Sequence, residues 1–318
     1  MRISVIIATR NRRLQLIDCL KSISRGSLKP FEVIVVDQSD VDQRIRNDYL
    51  REIKLNIKIF CQNQRGVSRA RNRGVALATG EIIAFTDDDC IVDKNWIVDI
   101  DSYFRQNKKT AGLFGKVVAY KQAKKQRLFC PSITEVPIRK VIQVEQRIIG
   151  KYDWFISGSN IVVRREIATN FPFSNLLGHG SIGRGTEDLE FCYRLLKDQI
   201  TIYYHPDLII FHNKWINAYD YRMHIRYERG FVLFHIFYLL FGDRFIGKVL
   251  TNHLRRVLLN QYHNISDSII HFHPRALFWE TYFSFEYLLS WLSGFYLGIY
   301  FRVLSKRSDL SGLNKVLL

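Results

Sequence analysis

The 318-residue chain has only five cysteines and no paired spacing among them, which argues against a disulfide framework or a zinc site and for reduced thiols. Its apolar start is too short for a signal peptide and runs straight into polar motifs, so no signal peptide is expected. There is no internal repeat and no low-complexity linker. The longest apolar runs, Phe231 to Phe241 and Tyr287 to Phe301, fall short of the ~20 residues a helix needs to cross a bilayer comfortably. Glycine is missing from the turn after the first strand-like segment, Thr9-Arg-Asn-Arg-Arg13, which excludes a dinucleotide fingerprint there and argues against a nucleotidyltransferase. Gly178, Gly180 and Gly183 do satisfy GxGxxG, but the turn-like Phe171-Pro-Phe-Ser-Asn175 precedes them where that fingerprint needs a strand. A hinged lid fits those glycines better.

What the chain does contain centres on Glu81-Ile-Ile-Ala-Phe-Thr-Asp-Asp-Asp-Cys90, a short apolar strand ending in three carboxylates. Adjacent aspartates repel one another and are poor strand formers. Either they form a polar turn that caps the next helix, or a hard divalent cation holds two of them, with Asp87 and Asp89 the natural pair.

The surrounding pattern reads as alternating strands and helices. Ile3 to Ala8 is a buried strand; Leu16, Leu20 and Ile23 repeat at helical spacing up to a C-cap at Gly26; Phe31 to Val36 is a second strand ending on Asp37. A short helix is expected near Val41 to Glu52, a third strand at Ile57 to Phe60 and a helix over Gln64 to Gly80. This rhythm predicts an α/β fold with a mostly parallel, Rossmann-like sheet flanked by helices. Ligands of such sheets sit beyond the carboxyl ends of the strands, so Thr9, Asp37 and Asp87 to Asp89 should converge on one crevice. The length exceeds what one compact core usually holds, which places a boundary near Asn217.

Val5-Ile-Ile-Ala-Thr-Arg-Asn11, Val35-Val-Asp37, Asn63-Gln-Arg-Gly66, Ala70-Arg-Asn-Arg-Gly74, Phe85-Thr-Asp-Asp-Asp89, Gly158-Ser-Asn160 and Thr186-Glu-Asp-Leu-Glu190 occur in the order and spacing of one family. In these pieces the chain resembles the family 2 glycosyltransferases with the GT-A fold, over roughly its first two-thirds. The resemblance implies an inverting enzyme that uses a nucleoside-diphosphate sugar, with residues 1–110 as the nucleotide-sugar half, 111–217 as the acceptor half and 218–318 as a helical C-terminal module. It implies that Asp37 reads the donor base, that Asp87 and Asp89 hold Mg²⁺ or Mn²⁺, and that Asp188 is the catalytic base. Thr9, Arg71 and Asp88 are expected to line the nucleotide site, and Trp154, Gly158, Asn160 and Glu187 the acceptor site. Most members have Tyr at the position of Arg10 and Asp-Gly-Ser after the Asp at position 37, where this chain has Gln38-Ser39.

These roles make chemical sense. A departing diphosphate accumulates charge that a metal on Asp87 and Asp89 would stabilise. The acceptor hydroxyl needs a base, whose help is worth ~10²- to 10⁴-fold. Glu187 and Asp188 also suit the positive end of a helix, a structural reason for acids there. Of Arg65, Arg69, Arg71 and Arg73, Arg71 matches the motif position for contact with the donor diphosphate, the rest forming a basic helix face. His212, after Leu208-Ile-Ile-Phe211, is either a strand-end residue or a third metal ligand, as in some related enzymes. Trp154 is a platform for a sugar or a core residue. A carboxylate at Asp37 could accept a ring N–H, which favours UDP or dTDP donors.

The net charge of +17 has its sharpest expression in the last third, where Arg222, Arg226 and Arg229 share a helical face beside aromatic apolar runs. Glu286, Ser290 and Ser293 are expected to form the polar face of a helix lying in a membrane interface, with cations on anionic lipid. The alternative is a helical subdomain whose apolar faces pack on each other or on a partner. The expected protein is a cytoplasmic enzyme, peripheral or monotopic on the inner membrane face, acting on a glycan or lipid-linked acceptor in envelope polysaccharide synthesis. No nucleic acid is expected as a partner, and the oligomeric state is not legible. The competing classes are a nucleotidyltransferase acting on sugar phosphates and a basic scaffold or nucleic-acid-binding protein.

Overall fold

Ile3-Ser-Val-Ile-Ile-Ala-Thr9 is rich in β-branched residues and lacks polar alternation, the pattern of a strand covered on both faces. It forms β1 (Ile3–Thr9) inside a nine-stranded sheet. The computed structural model describes residues 1–121, 128–130, 133, 139–145, 156–217, 222–270 and 274–305. Trp154 and the side chains of Arg222 and Arg226 lie outside what is described.

The elements run β1, α1 (Arg13–Arg25), β2 (Glu32–Asp37), β3 (Ile57–Cys61), α2 (Val67–Leu77), β4 (Ile82–Asp87), β5 (Cys90–Val92), α3 (Trp96–Gln106) and β6 (Gly112–Ala119). There follow β7 (Leu128–Phe129), β8 (Ile142–Gln143), β9 (Ile161–Arg164), α4 (Arg165–Asn170), α5 (Glu187–Lys197), β10 (Ile202–His212) and β11 (Ile216–Asn217). Three helices close the chain: α6 (Arg222–Leu240), α7 (Arg244–Ile270) and α8 (Pro274–Ser305).

The sheet order is β3-β2-β1-β4-β9-β6-β10-β5, with β8 also on β10. The first four strands are parallel, as expected. The mostly parallel expectation fails beyond β4: β9 inserts antiparallel between β4 and β6, and β5 and β8 run antiparallel to β10. The sheet is therefore mixed. Only β6 and β10 add a further parallel pair.

Local chemistry accounts for two further differences from expectation. In place of a helix over Val41 to Glu52 there are two 3₁₀ turns, Val41–Gln43 and Asn47–Leu50. The Asp37 carboxylate accepts the backbone N–H groups of Ser39 and Ile45, at 2.8 and 3.2 Å, and so holds this stretch in a side-chain-bonded turn. The helix expected over Gln64 to Gly80 is confined to Val67–Leu77, preceded by Gly66 at φ 127° and ended by an extended Ala78.

The chain divides into two compact units. One comprises Met1–Ile148, Tyr152–Asn175 and Glu187–Ala218 and contains the sheet; the other comprises Ile149–Lys151, Leu176–Thr186 and Tyr219–Leu318. The glycine-rich segment thus groups with the helices. Within the sheet unit the core combines aliphatic side chains with buried aromatics, among them Phe85, Phe114 and, on α3, Trp96 and Phe104.

In the helical unit α8 lies against α6 through small residues. A side chain added at Gly294 would come within 2.8 Å of the Arg229 carbonyl, and one at Gly298 within 2.7 Å of Ile236. Ser290 is buried on the same side, so the polar face expected to meet solvent or headgroups is turned inward. The outward face is the apolar one, with Phe285, Leu288, Leu292, Phe295, Ile299 and Val303 exposed at helical spacing. Buried Glu228 accepts from Trp291 Nε1 at 3.1 Å and lies 2.9 Å from His253 Nε2. No helix among the described residues is long and apolar enough to cross a membrane.

Candidate active site

Parallel pairing aligns the strand ends. Thr9 lies opposite Asp37 and Ala8 opposite Asp87, which brings the expected residues of β1, β2 and β4 to one edge of the sheet unit. There, Thr9 Oγ1 donates to Asp88 Oδ2 at 2.7 Å. Arg12 Nη1 bridges Asp88 and Asp89, at 3.0 and 2.9 Å. Burial pushes the Asp88 carboxyl up to about 6, against the pull of Arg12 and with the added charge of Asp89. Thr9 and Asp88, expected at the nucleotide, are therefore bonded to each other.

β10 carries His212 to the same edge. Its antiparallel register places His212 opposite Cys90, and Asn213 N–H donates to the Asp89 carbonyl at 2.8 Å. His212 Nε2 consequently sits 3.2 Å from Asp89 Oδ1, with Cys130 Sγ 3.7 Å from Nδ1. Burial raises Asp89, but the hydrogen bond and charge of His212, with Arg12, hold its carboxyl below the usual range. The ligating atoms of Asp89, Cys90 and His212 all lie within 4.8 Å of one another. Burial, with Asp87 and Asp89 nearby, raises the Cys90 thiol well above its ordinary value, and a protonated thiol is a poor ligand. A carboxylate beside an imidazole suits Mn²⁺ better than the oxygen-preferring Mg²⁺, so the donor set fits a divalent ion of the Mn²⁺ kind through Asp89 and His212.

Asp87 stands apart from that cluster. Arg71, only 2% exposed, donates from Nη2 to Asp87 and from Nη1 to Glu187, each at 3.0 Å, with its guanidinium 5.3 Å above the Phe173 ring. Arg71, expected at the donor diphosphate, thus gives one of its five N–H donors to each of two carboxylates. Glu187, expected at the acceptor, serves as one anchor of this pair.

Asp188 lies in the first turn of α5, next to Glu187. Its Oδ2 accepts the Gly158 N–H at 2.7 Å and its Oδ1 its own neighbour's N–H, from Leu189, at 2.9 Å. Burial, then the charge of Glu187, push its carboxyl up to about 6, while Arg71 and the two amides pull the other way. A carboxylate held near neutrality can take a proton and release it again. Gly158 also makes room for Arg71, since an added Cβ would lie 2.8 Å from the guanidinium.

Two residues expected at the ligands have partners within the fold. Asn160 is completely buried: it accepts from Trp96 Nε1 at 3.0 Å and donates to the carbonyls of Lys116 and Leu208 at 3.0 and 2.8 Å. With both amide hydrogens and its oxygen used, it ties α3, β6 and β10 together and faces no acceptor. Asp37 is 1% exposed with both oxygens on backbone amides, so it shapes the turn after β2.

Three residues at this edge were not anticipated. Arg12 was legible only as part of a cationic turn, although that turn follows β1 and the acidic run ends the adjacent β4. Gln38 donates to the carbonyls of Gln64 and Gly66 at 2.7 and 3.1 Å and accepts the Gly66 N–H at 3.2 Å, clamping the start of α2. Cys130 backs His212 from a distant part of the chain, for which nothing in the sequence gives a signal.

The model of the family described as Glycosyl transferase family 2 matches residues 4–170. A glucosyl-dolichyl phosphate glucuronosyltransferase of Haloferax volcanii is 28% identical over 134 residues, spanning 41% of this chain and 42% of that relative. A PGL/p-HBAD biosynthesis glycosyltransferase of Mycobacterium bovis is 30% identical over 118 residues, spanning 36% and 46%. The matches therefore span less than half of these curated relatives. Among solved structures, the mannosyltransferase PcManGT of Pyrobaculum calidifontis, in complex with GDP-Man and Mn²⁺, aligns with a TM-score of 0.55 at 15% identity, covering 96% of this chain and 88% of its own. S. aureus TarS 1-349 in complex with UDP-GlcNAc aligns with a TM-score of 0.53 at 20% identity, covering 74% and 66%. These likenesses establish a shared fold, and the family match covers more than half of the sequence, so the chain belongs to glycosyl transferase family 2.

Proposed function

We propose that the protein is a metal-dependent, inverting glycosyltransferase that moves a sugar from a nucleoside diphosphate to a hydroxyl of a glycan or lipid-linked acceptor. The observation that carries this reading is the pairing of a cation-fitting Asp89 and His212 with a proton-accepting Asp188, both within the sheet unit. Asp89 and His212 would hold Mg²⁺ or Mn²⁺, which when bound neutralises charge on the departing diphosphate. Asp188 takes the proton of the acceptor hydroxyl as its oxygen bonds to the anomeric carbon and the bond to the diphosphate breaks. Attack opposite the leaving group inverts that carbon. Gly158 N–H fixes the Asp188 carboxylate in place, and Arg71, paired with Asp87 and Glu187, partly offsets the charge of Glu187 on it.

The relatives' printed activities and the ligands of the solved neighbours support a nucleotide-sugar donor. The UDP or dTDP preference drawn from Asp37 is left to experiment, since each of its oxygens accepts one backbone amide and keeps further acceptor capacity. The outward apolar stripe of α8, with exposed Arg255 and Arg256 on α7, supports a peripheral position on an anionic membrane face. A panel of nucleoside diphosphates and their sugars, each with Mn²⁺, Mg²⁺ or EDTA, tests the donor reading by thermal shift. Metal-dependent stabilisation by one base is expected; no stabilisation of folded protein by any nucleotide would refute it.

A further inference from the structure

The glycine-rich segment Leu176–Thr186 is seated on α6 at a defined point. A Cβ at Gly230 would lie 2.6 Å from the Gly185 carbonyl, 2.7 Å from Thr186 Oγ1 and 2.9 Å from the Gly183 carbonyl, so only glycine allows this approach. The approach sets Arg184, between Gly183 and Gly185, beside Arg229, the residue before Gly230. The segment is built to stay there. Gly183 N–H donates to Leu176 O at 2.7 Å, Gly178 N–H to Gly185 O at 3.1 Å, and Ser181 Oγ to Leu176 O and Gly178 O at 2.9 and 2.7 Å.

Two of its residues pay a conformational cost. Arg184 has φ 67° and Thr186, a β-branched residue, has φ 64°. Non-glycine residues held in the left-handed region concentrate at functional positions.

Arg229 Nε is buried without a hydrogen-bond partner, and among the described residues no carboxylate is paired with either arginine. Glu228, adjacent in sequence, is already committed to His253 and Trp291. Burial, then the charge of Arg184, lower the Arg229 pKa from its ordinary value. The buried Nε of Arg229 is costly to leave without an acceptor, and the neighbouring Arg184 cation favours an anionic one.

We propose that Arg184 and Arg229 form a binding site for a phosphate group of the acceptor, carried by a lipid. Guanidinium pairs match phosphate oxygens in geometry and charge. Arg184 stands four residues before Asp188 in the chain, on the segment that leads into the proposed base, which favours the acceptor over the donor. A lipid source agrees with the exposed apolar face of α8 in the same unit. The inference rests on the glycosyltransferase reading, which the nucleotide arm of the experiment below reports separately.

The test measures binding of geranyl diphosphate, inorganic pyrophosphate and geraniol to the full chain in EDTA, and of nucleoside diphosphate with Mn²⁺ in parallel. Geranyl diphosphate should bind without metal, more tightly than pyrophosphate or geraniol, and at least tenfold more weakly to Arg184→Ala and Arg229→Lys. Nucleoside diphosphate affinity should stay within twofold in both variants. Absence of metal-free geranyl diphosphate binding, or unchanged affinity in Arg184→Ala, would overturn the site. Equal weakening of nucleotide would assign the arginines to the donor, and pyrophosphate binding as tight as geranyl diphosphate would remove the lipid source; either overturns the proposal. Arg184 is exposed, so its variant decides the matter even if Arg229→Lys does not fold.

Discussion

Asp188 illustrates how position within a few residues sets chemistry. Its carboxyl is held at about 6 by burial and by Glu187, so the base form dominates only above that pH. Transfer measured as kcat/KM against pH should fall about tenfold per unit below that value. The sign follows from the role: a base is active when ionised, and a raised pKa moves the loss of activity toward neutrality. Asp188→Asn should lower kcat by ~10²- to 10⁴-fold while leaving nucleotide affinity unchanged; retained turnover would place the base elsewhere. Arg71→Ala leaves Asp87 and Glu187 without their buried cation, and chemical denaturation should report a loss of about 3–5 kcal/mol. Asp89 was legible because charge at the end of an apolar strand demands an explanation, whereas Asp188 and His212 were singled out through the family resemblance. The partners of Asn160 and Asp37 were not legible, because sequence gives residue type and position but not who takes the hydrogen bonds. A fully used amide and a carboxylate on two backbone N–H groups look the same in sequence as free ones.

At the scale of elements, small residues decide how α8 meets α6. Gly298→Leu would force a branched side chain into Ile236, and thermal unfolding should show a lower Tm, at a cost of about 1–3 kcal/mol typical of overpacking. A Tm equal to wild type would mean the helices do not pack this closely. The first strands were readable because β-branched runs between helical repeats have one reasonable arrangement, a parallel sheet. β9 and β10 were not, since their places depend on pairings across the fold: β9 inserts beside β4, whose residues precede it by about eighty positions. The 3₁₀ turns after β2 escaped notice for a related reason. Their apolar spacing resembles a short helix, while the Asp37 carboxylate draws the Ser39 and Ile45 amides out of helical pairing.

At the scale of the whole molecule, a charge of +17 coexists with an apolar stripe on α8. Flotation with liposomes should recover the protein with anionic vesicles at low salt and less of it as salt rises, because surface attraction is screened. Equal recovery with neutral vesicles at every salt concentration would make the contact purely apolar. The central claim is that Asp89 and His212 make nucleotide binding depend on a divalent cation. Calorimetric titration of the nucleoside diphosphate selected by the thermal panel, into wild type and His212→Ala, with Mn²⁺ and again with EDTA, tests it most directly. The account predicts binding by the wild type that weakens at least tenfold in EDTA, and a variant whose affinity is low and indifferent to the metal. Equal affinity in all four titrations would contradict it.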